Sequence, residues 1–460
     1  VFGAVISAAL AAFLPGEAKA QVGILGAVGG VSIDPDGMVA IAKEESKSTP
    51  TVPAQGLATE GSRPLRCVSL RRLEAAIAAI PNSAPASRIE EMNRLAGLSR
   101  VQRLVFVRDG DAGDVLLVGP VGSGRDVGLH LEDFVAAMRF VFSESPRHSF
   151  VGCSIDPTPQ GVKAVQSLAG RIQPSQFTPV ELERQFAAAA GPQTISLFGV
   201  EGDSRLAWVM VAADYRLKRL SMEHDRSPVA GLQTYLGEVV ARGDRRPIDA
   251  RFWFVGHLAR LDSDADERCF EFTLPAVRVQ TAAASTTTAS TNASRTSKNP
   301  KPLKNPAADA FVNSCNRLWP KLTESIPAFQ ELERAVVWCG VAALIREHDE
   351  RQSSVDSNGE SPGVVEDSEA SEPWSPAGWL DPQTVRIASR PVPTKTASLG
   401  IVRRTASGQY AVGVSGGVEI DPLSVVAAEA RISDRGGALA EFASGLRFPT
   451  DRSTWYWDLD

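Results

Sequence analysis

The sequence predicts an α+β protein on three observations. Stretches with apolar residues at helical spacing and β-rich runs both recur along the chain. They do not alternate with one regular βαβ period, so a doubly wound parallel sheet is not indicated. Two polar stretches, 281–306 and 349–382, separate a main part from a helical segment and from a strand-rich C-terminal part. The expected architecture is a mixed sheet with packed helices over 22–280, with a subdomain division near 145. A helical segment over 307–348 and a small β-rich unit over 383–460 follow.

In chain order, Leu70, Leu73, Ile77 and Ile80 recur at helical spacing behind Ser69, an N-cap residue, and Pro81 closes that helix. Val101 to Arg108 and Asp114 to Val121 are β-rich runs around Asp109-Gly110-Asp111-Ala112-Gly113, the pattern of a hairpin. Leu131, Phe134, Met138 and Val141 mark another helix. Thr178 and Glu181 form a capping box, with Pro179 at the first helical position and Phe177 placed to staple against Leu182. Thr158-Pro159 and Ser227-Pro228 predict further helix starts. Phe150 to Ile155, Thr194 to Val200, Phe252 to Gly256 and Cys269 to Gln280 read as strands.

The stretch 281–306 is almost wholly Ala, Ser, Thr, Asn, Lys and Pro, too polar to offset its ordering entropy, and reads as a linker. Ala307 to Gln352 is helical with a break expected near Pro320, and Ile326, Phe329, Leu332 and Val336 share one face. The second linker carries Asp356, Glu360, Glu366, Asp367, Glu369 and Glu372 among Ser, Gly and Pro. Thr384 to Ile420 is strand-rich, and Ser424 to Ala430 suits a short helix.

One phrase occurs three times: Gly30-Val31-Ser32-Ile33-Asp34-Pro35, Gly152-Cys153-Ser154-Ile155-Asp156-Pro157 and Gly417-Val418-Glu419-Ile420-Asp421-Pro422. Each is a strand stopped by Asp-Pro, where the carboxylate caps the turn and proline ends pairing. Strand punctuation is the simpler reading, and a remote duplication or shared acidic ligand site the sharper one.

The first twenty residues read as an export signal. An apolar run from Val1 to Leu14 is broken by Pro15-Gly16 and leads to Ala18-Lys19-Ala20, which places cleavage between Ala20 and Gln21. The initiator Met and basic n-region are missing, so the chain is expected to begin short of its true start. The run is too short for an ordinary transmembrane helix, and no other stretch reaches that length, so no span is expected after cleavage. With 43% hydrophobic and 22% charged residues the chain can bury a large core. A net charge of -6 and the lack of a clustered basic face argue against nucleic acid. Export allows disulfides, and of Cys67, Cys153, Cys269, Cys315 and Cys339 the best pair is Cys315 with Cys339, on consecutive predicted helices.

Motif chemistry is thin. Gly413-Val414-Ser415-Gly416-Gly417 fits the nucleophile-elbow pattern, yet a strand follows and no histidine lies beyond His348. Gly119 to Asp126 has phosphate-loop glycine spacing, but Arg125 and Asp126 stand where lysine and a hydroxyl are needed. Asp262-Ser263-Asp264-Ala265-Asp266-Glu267 resembles half a calcium loop with the required glycine replaced, and a solvated hairpin tip is preferred. His130, His148, His224, His257 and His348 are scattered, and no cofactor is indicated. In Asp214-Tyr215-Arg216-Leu217-Lys218-Arg219, Asp214 and Lys218 suit an i,i+4 pair, while Arg216, Lys218 and Arg219 are the candidate anion or partner patch.

Several phrases together resemble a family of secreted planctomycete proteins known only as a domain of unknown function. They are Leu65-Arg66-Cys67-Val68-Ser69-Leu70-Arg71-Arg72-Leu73-Glu74, Leu95-Ala96-Gly97-Leu98, Gly152 to Pro159, Ala213 to Arg219, Ser227-Pro228 and Phe252-Trp253-Phe254. The resemblance spans roughly Gly29 to Gln280 and implies export, but no activity, cofactor or catalytic residue. The expected role is therefore non-enzymatic binding or assembly in the cell envelope or outside the cell, with an envelope protein or a glycan as partner. The rival is an extracytoplasmic hydrolase using a carboxylate pair brought together only by folding.

Overall fold

The computed structural model describes residues 30–33, 64–81, 83–122, 128–143, 148–171, 177–242, 248–281, 305–358, 374–381, 391–399, 401–405, 408–428 and 431–459. The predicted leader with its expected Ala20-Gln21 cleavage point lies outside them, as do 282–304 of the first predicted linker and 359–373 of the second.

In chain order the first half comprises β1 (Gly30–Ile33), β2 (Leu65–Ser69), α1 (Leu70–Ala78), α2 (Ala86–Asn93), β3 (Arg103–Asp109), β4 (Ala112–Pro120), α3 (Leu131–Val141), β5 (Val151–Pro157), α4 (Pro159–Arg171), α5 (Pro179–Ala190) and β6 (Gln193–Phe198). Next come α6 (Arg205–Ser221), α7 (Tyr235–Arg242), β7 (Ile248–Gly256), β8 (Arg260–Ser263), β9 (Cys269–Thr273) and β10 (Val277–Thr281). The rest is α8 (Pro306–Ser325), α9 (Pro327–Asn358), α10 (Ala377–Leu380), β11 (Lys395–Leu399), β12 (Ile401–Thr405), β13 (Gly408–Ile420), α11 (Pro422–Val425), β14 (Arg431–Ser433), α12 (Ala438–Gly445) and β15 (Tyr456–Leu459).

The α+β class holds. Two mixed sheets form, one in the order β1-β11-β6-β5-β13-β7-β10 with β12 on β13, the other β14-β8-β9-β3-β4-β2-β15. The C-terminal strands do not make a separate small unit. Strand β13 lies between β5 and β7, antiparallel to the first and parallel to the second, while β15 pairs with β2 and β14 with β8. On the inward face of β13, Val414, Val418 and Ile420 are at most 3% exposed.

Local signals set many boundaries. Ser69 accepts from Arg72 N to start α1, and the Thr178–Glu181 capping box opens α5. Pro320 sits inside α8 rather than breaking it; the break falls at Ile326, before Pro327. Helix α9 then runs to Asn358, ten residues into the predicted acidic linker, and Trp379 of α10 is buried. No helix starts at Ser227-Pro228: Ser227 Oγ closes a local turn on Val229, and α7 begins at Tyr235. The strand predicted from Cys269 to Gln280 divides into β9 and β10 at Leu274-Pro275, since proline cannot donate to a ladder.

The core is centred on α9. Ala335 to Cys339 and Val341 to Ile345 are each at most 5% exposed, so the helix is apolar all round, as a fully surrounded helix must be. One continuous apolar cluster joins it to Phe134, Leu206, Trp319, the sheet-one residues Ile155, Phe252 and Phe254, and the sheet-two residues Leu104 and Leu117. No subdomain division falls near 145, because this cluster spans both sides of it.

Candidate functional site

Ser204 accepts from Ala207 N and starts α6, whose 3.6-residue period stacks Asp214 and Lys218 on one face. Lys218 Nζ donates to Asp214 Oδ2 at 2.6 Å and reaches Gly416 O at 3.5 Å on β13. The predicted pair thus forms, but in the core: the two residues are 0% and 1% exposed. A side chain at 416 would not fit, since its Cβ would lie 1.6 Å from Phe252 O and 3.4 Å from Asp214 Oδ1. Burial pushes the Asp214 carboxyl up, Lys218 pulls it back, and the Asp156 carboxylate adds to the rise.

The predicted patch of Arg216, Lys218 and Arg219 is not assembled. Lys218 is turned inward, whereas Arg216 Nη1 and Arg219 Nε donate to Asp225 Oδ2 at 2.5 and 2.8 Å. Asp225 engages both arginines before any ligand arrives, and its carboxyl is lowered despite burial because Arg219 and Arg216 face it. Cys315 and Cys339 remain buried free thiols, so the expected bridge is not formed. The neighbours of Cys315 on α8, Ser314 and Asn316, engage Gln233 and Val279. Cys339 on α9 instead feels the charge of Asp133 on α3.

The other motifs resolve structurally. Ser415 lies within β13 in register with Arg251, on a strand rather than an elbow. Of the glycine-rich stretch, 123–127 lie outside the described residues. At the β8–β9 tip, Asp262 takes Arg260, Asp264 Oδ1 accepts from Arg268 N and Cys269 N, and Glu267 pairs with Arg351 and Arg431. Those oxygens are committed to protein donors, and among the described residues no three His, Cys, Asp or Glu group as metal ligands. Two copies of the repeated phrase pair with each other, Gly417 against Ser154 and Val418 against Cys153. Antiparallel pairing sends Asp156 and Asp421 to opposite ends, so they share no ligand; Asp421 caps α11 through Leu423 N.

The concave feature that sequence reasoning missed is a cavity of about 530 Å³ between residues 99–102, the end of β4, Leu274-Pro275 and helices α8 and α9. Arg100, Gln102, Glu324, Gln330, Glu333 and Arg334 supply its polar groups, with Trp319 and Trp338 in the wall. Glu333 Oε1 accepts from Trp319 Nε1 at 3.0 Å and Ala276 N at 3.1 Å, and burial raises its carboxyl. Arg334 pairs with Glu331, which also holds Arg205 of α6; Arg205 in turn holds Asp133 of α3. The cavity wall is thereby tied to the core. Trp338 Nε1 is buried without a partner among the described residues. The available signal was Glu333-Arg334 at the start of an otherwise apolar run, since buried charge needs a purpose.

Fold and site define an α+β protein with a polar-lined cavity and a sealed ion pair. The family described as "Protein of unknown function (DUF1598)" matches residues 153–235, from β5 to the first residue of α7. The matched stretch includes Cys153, Asp156, Asp214 and Lys218 but not the cavity wall. No curated protein and no solved structure matches the chain.

Proposed function

We propose that the chain is an exported protein of the cell envelope that acts by binding, with the cavity as its ligand site. The observation that carries the binding reading is the cavity itself, whose wall holds Glu333 in place through two N–H donors on one carboxylate oxygen and Arg334 through Glu331. Groups held in this way orient a ligand at little ordering cost. A volume of about 530 Å³ lies within the size range of small-molecule sites. Export is supported by the leader's composition and is compatible with five unpaired cysteines. Burial pushes Cys67, Cys269 and Cys339 up to about 12, which leaves almost no thiolate to oxidise. No helix among the described residues is long and apolar enough to cross a membrane.

Two measurements test this. Mass spectrometry of the native product from envelope fractions should find Gln21 as its first residue. A thermal-shift screen of sugars, amino acids and small carboxylic acids should find a stabilising class whose effect disappears in Ser99→Trp, which fills the cavity. A second reading, hydrolysis by Glu333 with Glu324, is favoured by the raised Glu333 carboxyl. It requires turnover of a glycan or ester substrate that Glu333→Gln abolishes.

A further inference from the structure

Sheet one presents a second face with unspent polar groups. Strand alternation turns Phe252 and Phe254 of β7 inward, each 1% exposed, and leaves Arg251, Trp253 and Val255 half-buried on the other side. Register aligns Trp253 with Gly417 of β13, and Gly417 with Ser154 of β5, so small residues lie beside the indole. The Arg251 guanidinium lies 5.3 Å from the Trp253 ring centroid. It makes no hydrogen bond or ion pair with any described residue, and its Nε is buried. Asp156 is half-buried: its Oδ2 accepts from Ser154 Oγ, on a residue 2% exposed, at 2.9 Å, and its Oδ1 is buried with no partner among the described residues, while Glu419 is exposed.

Charge decides the occupant. Asp156 and Glu419 both act electrostatically on Arg251 without touching it, and burial disfavours the charged form of Arg251 and of Asp156. An anion drawn to Arg251 would meet two carboxylates, and a cation drawn to them would meet Arg251. A neutral polyhydroxylated molecule meets neither penalty, since its hydroxyls both donate and accept and its C–H faces suit an aromatic ring.

We propose that this face binds a neutral oligosaccharide, with Trp253 packing a sugar ring, Arg251 donating to its oxygens, and Asp156 and Glu419 accepting from its hydroxyls. The proposal deepens the binding reading and shares no residue with the cavity.

The test is calorimetric titration of the full chain with chitotetraose, cellotetraose and maltotetraose, alongside a sulfated tetrasaccharide and inorganic phosphate. At least one neutral tetrasaccharide should bind, and Arg251→Gln and Asp156→Asn should each weaken it about tenfold or more, the loss of one or two hydrogen bonds to charged groups. Melting curves show whether each variant is folded, and Arg251→Gln is decisive if Asp156→Asn is not. The cavity variant Ser99→Trp should bind as the parent does. The proposal is overturned by no binding of any neutral probe at about 10 mM, by unchanged affinity in a folded Arg251→Gln, or by tighter binding of the sulfated probe or phosphate. Loss of saccharide binding in Ser99→Trp would also overturn it and move the ligand to the cavity.

Discussion

Asp114 shows how one buried carboxyl sets a pH response. It sits at the N-terminus of α1, where Ser69 Oγ donates to its Oδ2 at 2.5 Å and Arg71 N to its Oδ1 at 3.1 Å. These donors favour the anion, yet burial outweighs them and pushes the carboxyl up to about 6. A folded value above the unfolded one means that its contribution to stability is complete below about 3.8 and is lost as pH rises through about 6. From pH 4 to pH 7 that loss is about 2 kcal/mol. Asp133, raised to about 7 by burial against the pull of Arg205, acts in the same direction. Asp114→Asn should remove only the first contribution. Urea unfolding across this range should give a stability difference between variant and parent that grows in the variant's favour by about that amount; a pH-independent difference would refute the assignment.

At the scale of elements, α6 and β13 are joined by the Lys218–Asp214 pair under Gly416. Removing one member strands a charge in a dry core, so Lys218→Ala should cost about 3–5 kcal/mol in urea unfolding. The double change Asp214→Leu with Lys218→Met should cost far less, since neither charge then needs solvation. Comparable losses in both would mean that the pair's packing, not its charge, matters. The pair's existence was legible because i,i+4 spacing is local, and its depth was not because depth depends on β13, 198 residues away. The same division runs through the fold. Caps at Ser69 and Thr178 act within one turn and could be read directly, whereas Pro320 was overruled by the packing of Leu318, Trp319 and Leu322 around it. The cavity was illegible for the same reason, because its polar groups come from segments more than 170 residues apart.

At the scale of the whole molecule, the chain closes on itself. Composition suggested a tethered C-terminal unit because the polar stretches mark where apolar sequence pauses, and a pause says nothing about where the next strand pairs. The repeated phrase held the missing information, since Gly152 to Ile155 and Gly417 to Ile420 lie on strands that pair with each other. With β13 removed, β5 and β7 would each lose one of their two ladder partners, and the first sheet would be split between β5 and β7, leaving two open edges inside it. A fragment ending at residue 381 should therefore bind a hydrophobic dye and melt without a cooperative transition, and a fragment of 384–460 should show no fixed structure by circular dichroism. The full chain cut by a protease site placed within 359–373 should behave differently. Its two pieces should co-elute in gel filtration and melt together, because the strand pairing that joins them survives loss of the covalent link. A cooperatively folded 384–460 fragment, or pieces that separate without denaturant, would show the C-terminal strands to be an appended unit after all.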